Sequence, residues 1–130
     1  MSRVKALRAA IQDFLKSVHP RVHYHRADPN GAYPRLVFDL PTSFDDGNFE
    51  IFQLEVDGWD NNPDTSALED LMAAMDGDGD LDNPTGLNKR TIDADNLTAQ
   101  VYREQRLSVP DDDPRIRHRQ YTYQVRVFKG

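Results

Sequence analysis

Phe49-Glu50-Ile51-Phe52-Gln53-Leu54-Glu55-Val56-Asp57-Gly58-Trp59 is the stretch on which the fold turns. Phe52, Leu54 and Val56 fall on one parity and Gln53, Glu55 and Asp57 on the other, the period of a strand with one buried and one polar face. Upstream, Arg35-Leu36-Val37-Phe38-Asp39-Leu40 is a second strand ended by Pro41, and Asp45-Asp46-Gly47-Asn48 turns the chain between the two, so they form a hairpin. Downstream, Asn61-Asn62-Pro63-Asp64 breaks the strand. Ser66-Ala67-Leu68-Glu69 then reads as a capping box opening a helix whose buried stripe is Leu68, Leu71, Met72 and Met75.

Farther out, Val4, Leu7, Ala10, Ile11, Phe14, Leu15 and Val18 recur at helical steps and predict a helix to about Ser17, stopped by His19-Pro20. Arg21 to Arg26 reads as a short strand with Val22 and Tyr24 facing one way, followed by a turn at Asp28-Pro29-Asn30-Gly31. Residues 76–88 carry four aspartates and no periodicity, and the stretch 76–96 is expected to be an acidic, flexible loop. A strand follows from Leu97 to about Val109, where Arg103 and Gln105 interrupt the apolar parity and suggest a bulge. After the turn Pro110-Asp111-Asp112-Asp113-Pro114, the last strand puts Tyr121, Tyr123, Val125 and Val127 on one side. The order predicts one α+β domain over 1–130, a mostly antiparallel sheet of four to five strands with two helices packed on one face. Its second face is polar, and therefore solvated or used.

The chain has 130 residues and no cysteine, which removes disulfides, a thiolate nucleophile and cysteine-based metal sites. No apolar run approaches the ~20 residues that cross a bilayer, and the N-terminal stretch lacks the pattern of a signal peptide. The reading is a soluble protein, made in a cytoplasm, with no membrane partner. The net charge of −6 is unevenly spread: residues 1–38 carry +5, residues 39–82 carry fourteen acidic and no basic side chains, and residues 83–130 carry +3. Unless the fold scatters them, such charges give an acidic side and a basic one.

Asp76, Asp78 and Asp80 resemble the opening of a calcium loop. The pattern then fails, because Leu81 stands where the sharp turn wants glycine and Leu87 where a bidentate glutamate belongs. His23 and His25 share a strand face and could bind a metal only with His118 or a carboxylate as third ligand; the alternative is two surface histidines. No nucleophile elbow or glycine-rich phosphate cradle is present. Carboxylate pairs such as Glu55 and Asp57 arise from composition in a stretch this acidic. The expectation is therefore no enzyme, no cofactor and no metal. Arg115, Arg117, His118, Arg119 and Arg126 lie close to Tyr121 and Tyr123, as in nucleic-acid-binding surfaces. The alternation nevertheless sends the tyrosines to the core and leaves the arginines beyond its edge. Trp59 closes the core over the hairpin end or anchors an interface.

Arg21-Val22-His23-Tyr24-His25-Arg26-Ala27 with Tyr33-Pro34-Arg35-Leu36-Val37-Phe38-Asp39 resembles the opening of the small tail terminator, or tail-to-head joining, proteins of long-tailed bacteriophages. Phe52 to Asp60 is similar to their next strand, and Arg115 to Val127 to their last. The resemblance implies a structural virion subunit at the head–tail interface, present in the host cytoplasm during assembly. It implies a hexameric ring that caps the tail tube, ends its polymerisation, contacts the major tail tube protein and a head-completion or connector protein, and lets phage DNA pass without sequence-specific binding. Candidate assembly residues are Trp59, Asp76, Asp78, Asp80, Asp82, Arg115, Arg117 and Arg119. A ring needs two different patches that fit each other, and segregated charge supplies them. An acidic lumen would let phosphates pass. The alternatives are a head-completion or stopper protein on the capsid side and a small cation- or nucleic-acid-binding adaptor.

Overall fold

In a computed structural model, residues 3–25, 32–45, 49–94 and 97–129 are described. The first helix, α1 (Arg3–Val18), buries Ala6, Leu7, Ile11 and Leu15, while Val4, which shares their stripe in the sequence, is exposed in the first turn. Strand β1 (Val22–Tyr24) follows, and then the hairpin of β2 (Arg35–Asp45) and β3 (Phe49–Asp60). The second helix, α2 (Ser66–Asp76), lies between β3 and the short β4 (Thr91–Ala94); β5 (Leu97–Val109) and β6 (Arg117–Lys129) complete the chain. The expected turns at 28–31 and 46–48 lie outside the described residues.

The strands form a single six-stranded sheet in the order β1-β2-β3-β6-β5-β4. The α+β class holds, but the sheet has six strands where four to five were expected, and it is mixed because β1 runs parallel to β2. The extra strand is β4, which buries only Ile92 and so lacks the alternation that betrays a strand. A strand as short as β1 carries no signal of the direction in which its neighbour runs, so its parallel pairing is set by the fold and not by a local pattern.

Even-numbered side chains of β3 meet the helices. Phe52, Leu54 and Val56 join Leu36, Phe38, Tyr123, Val125 and Val127 in the core under Leu7, Ile11, Leu15, Leu68, Met72 and Met75. Gly58 leaves room for α2: a Cβ there would lie 2.6 Å from the Met72 sulfur and 3.1 Å from Leu68. The capping box does not form. Thr65 occupies the N-cap without a side-chain bond, Asp64 accepts from both the Ser66 amide and hydroxyl, and Glu69 reaches outward to Arg119. Those two bonds draw the Asp64 carboxyl below its usual range.

The sheet is strongly twisted. Its opposite-corner strands β1 and β4 both touch α1, whereas on the helix-free face Thr42 and Phe44 of β2 and Glu104 of β5 line one cavity of about 240 Å³. The corners at the end of β2 and the end of β5 thus bend away from the helices.

Within the 76–96 stretch the chain is tied down at several points. Leu87 N–H donates to Met75, Asn88 N–H to Asp76, and Lys89 N–H to Val101. At the base of the loop Gly77, with φ of 84°, crosses Gly86 so closely that a Cβ on either would lie 2.2–2.3 Å from the other's amide nitrogen.

Candidate assembly surface

The helix-free face is built from the odd positions of β3 and the even positions of β6. Register sets Trp59 directly opposite His118, and their rings stack with centroids 4.2 Å apart. His118 Nε2 also lies 2.7 Å from Asp57 Oδ1, with both side chains only 13% exposed. Of the two readings of Trp59, closure of the core does not describe its place: its parity sets it on the helix-free face, over a histidine.

Beside this cluster Asp39 and Glu55 are direct cross-strand partners, and Asp57 follows two residues along β3. Burial first, and then the charges of Asp57 and Asp39, push the Glu55 carboxyl above its ordinary range. Gln120 Nε2 donates to Glu55, and a cavity of about 450 Å³ spreads between Glu55, Gln53, Glu104, Gln105, Leu107 and Gln120. The arrangement is a polar and mostly anionic surface. Among the described residues no three histidine, aspartate or glutamate side chains are gathered to hold a metal. His118 sits three strands away from His23.

The other candidates are scattered. Asp76 is 4% exposed and accepts from the Tyr123 hydroxyl at 2.7 Å and from Arg103 at 2.5 Å, so it is an internal tie between α2, β5 and β6 and not a surface group. Burial and this carboxylate together raise the Tyr123 hydroxyl far above its usual range. Asp78 accepts from the Asp80 and Thr85 amides, which lowers its carboxyl, and Asp80 accepts from the Asp82 amide. These three bonds order the loop tip, where Leu81 stands 63% exposed.

Arg115 forks onto Asp113 and holds that carboxyl down at about 2, Arg117 donates to the Pro114 carbonyl, and Arg119 pairs with Glu69 of α2. Two ion pairs, Glu69–Arg119 and Asp76–Arg103, and the Asp57–His118 hydrogen bond join the acidic middle of the sequence to its C-terminal part. The folded molecule consumes part of the charge segregation internally. Tyr121 and Tyr123 are buried, as their alternation predicted, and so cannot stack nucleic-acid bases.

Sequence reasoning did not find the Asp57–His118–Trp59 cluster or the Arg103–Asp76–Tyr123 tie. Both depend on the register of β3, β5 and β6, and no local pattern encodes it. The one available hint was Arg103 itself, a charged side chain on the core parity of Ala99 and Val101; the bulge that follows, between Arg103 and Gln105, sends Leu107 and Val109 to the other face.

Architecture and surface together define a twisted α+β subunit with helices on one side and an open, polar sheet face on the other. The same fold is found along nearly the whole of a chain from "Virion of native gene transfer agent (GTA) particle", with a TM-score of 0.61 over 98% of this chain and 97% of that one, at 11% identity. The search of family models and that of curated proteins gave no match. Among the described residues no helix is long and apolar enough to cross a membrane.

Proposed function

We propose that the chain is a structural virion protein of the tail terminator kind, a subunit of a ring that caps the tail tube, ends its growth and joins it to the head. The observation that carries this reading is the end-to-end fold likeness to a chain of a virion particle, taken together with the resemblance of Arg21–Asp39, Phe52–Asp60 and Arg115–Val127 to that family. In this reading the helices face outward and the helix-free sheet face lines the channel. Asp39, Glu55, Asp57 and Glu104 then present negative charge to passing DNA, whose phosphates are repelled instead of retained. Neighbouring tail tube and connector proteins bind the two rims.

Arg119 and Arg103 pair with Glu69 and Asp76 across the fold, whereas Arg115, held only by its neighbour Asp113, and Arg117 lie beside an open cavity of about 600 Å³ shared with Tyr33, Pro63 and Ile116, the place for a basic contact with a neighbour. Light scattering on the purified protein, alone and with purified tail tubes, tests the function. A ring, or a monomer that becomes one on tubes, supports it. Binding to head connectors alone moves the protein to the capsid side, and salt-sensitive DNA binding by a lone monomer overturns the reading.

A further inference from the structure

Each edge of the sheet is covered over only half its length. On one edge β1 pairs with Leu36–Phe38 and stops, and Thr42–Asp45 of β2 run on exposed. On the other, β4 pairs with Leu97–Gln100, Lys89 and Asn88 bond Val101 and Arg103, and Glu104–Ser108 of β5 are exposed. Among the described residues no backbone hydrogen bond reaches the outer side of Thr42–Phe44 or of Glu104–Ser108. The two halves lie at diagonally opposite corners, and both begin at a bulge, at Asp39/Thr42 and at Arg103/Gln105. An exposed half-edge is an unfilled template for another strand.

We propose that these halves complete each other between copies: Thr42–Asp45 of one subunit pair antiparallel with Arg106–Val109 of the next. β2 and β5 run in opposite directions within the sheet, so a copy displaced in the plane of the sheet offers its β5 antiparallel to this β2. One register satisfies every position. Phe44 (58% exposed) meets Leu107 (39% exposed), both on the helix-free face. Asp45 meets Arg106 on the helix side, Ser43 meets Ser108, and Thr42 meets Val109. Each is a favourable cross-strand pair. Sliding by two residues one way sets Asp45 against Glu104, and the other way sets Ser43 against Pro110. Pro41, which lacks an N–H, marks where pairing ends, and neither β1 nor β4 overlaps the joined segments.

The geometry of the step agrees with a closed ring. The level of Phe44 and that of Leu107 differ by the six residues from Ile51 to Asp57 along β3. That is a stagger of about 20 Å along the strands against about 19 Å across four strand spacings. A ring with no rise then tilts its strands about 45° from its axis, the range of closed barrels. Because both open corners bend away from the helices, the helix-free face turns inward. The contact is heterologous, so it propagates into a ring or a filament instead of stopping at a dimer. The proposal rests on the ring reading for closure alone; six steps of about 28 Å enclose a barrel roughly 50 Å across.

The chain has no cysteine, which makes the test clean. Ser43→Cys with Ser108→Cys in the full chain, mildly oxidised, is expected to give a reducible ladder of multimers. Opposed strand residues lie within disulfide reach, whereas inside one subunit these two are about 24 Å apart, three strand spacings across and six residues along the strands. Each single variant should stop at a dimer. Ser43→Cys with Leu107→Cys, which points the thiols to opposite faces, should lose the ladder. Asp45→Arg in the cross-linking background should also lose it, and adding Arg106→Asp should restore it. No ladder from the in-register pair, or an equal ladder from the out-of-face pair, overturns the proposal. Light scattering of the unaltered protein separates it from the ring reading: a ring without the ladder overturns the edge pairing, whereas a ladder extending into open fibres upholds the pairing and overturns the ring.

Discussion

Two faces of one strand, β3, follow the same alternation and obey opposite rules. On the helix side Phe52, Leu54 and Val56 are excluded from water by α1 and α2, and Gly58 is there because α2 comes too close for any side chain. On the other side Gln53, Glu55, Asp57 and Trp59 are held by cross-strand partners, and Glu55 is pushed up in pKa by burial and by Asp57 and Asp39. One face is optimised for its own stability. The other holds like charges close together, a cost that folding alone does not require.

The sharpest way to break the comparison is to truncate each face in turn. Leu54→Ala should destabilise the protein by about 2–5 kcal/mol in urea unfolding, while Gln53→Ala should change stability by no more than about 0.5 kcal/mol. Equal effects would mean that the helix-free face is a second core. Next in size is the tie beneath the acidic loop. Asp76→Ala strands Arg103 and the Tyr123 hydroxyl and should cost about 3 kcal/mol, whereas Asp80→Ala, four residues on in the same loop, should cost almost nothing by the same measurement. Gly58→Ala sharpens the contrast further, because its methyl must displace Met72; a loss of about 1–2 kcal/mol in thermal unfolding is expected.

The smallest effect is on pH dependence. The Glu55 carboxyl is raised in the folded state, so the folded protein holds a proton longer than the unfolded chain, and stability falls as pH rises from 4.5 through the folded value. Glu55→Gln should remove that slope and leave the protein more stable at pH 7, by no more than about 0.5 kcal/mol after solvent screening. Asp113 has the opposite sign. Its contribution is present above 3.8 and disappears as pH falls toward 2, so Asp113→Asn should flatten the acid limb of a stability–pH curve.

The central hairpin, the last strand and both helices were legible because each buries one face, and that writes a period into the sequence. Where burial is one-sided and brief, as at Ile92 in β4, no period exists to read. Direction was illegible at β1, because a strand of three residues says nothing about which way its neighbour runs. The candidate site fared worse for a related reason. Asp76, Asp78, Asp80 and Asp82 are equivalent as sequence, and only Tyr123 and Arg103, arriving from β6 and β5, single out Asp76 as an internal group. Trp59 stood between closing the core and anchoring an interface, because only the register with β6 shows that it packs on His118.

The crossing of Gly77 and Gly86 separates what lies outside it from the rest of the molecule. The chain enters and leaves the acidic loop through nearly the same point, and the sheet and α2 are anchored on the near side of it by Asp76 and Leu87. Residues 80–83 are exposed, so an epitope tag or a fluorophore-bearing segment spliced between Asp80 and Asn83 would ride outside the clamp and leave the fold's own contacts in place. The same two glycines give this chain a position at which one surface loop can be lengthened, shortened or recharged without renegotiating the core.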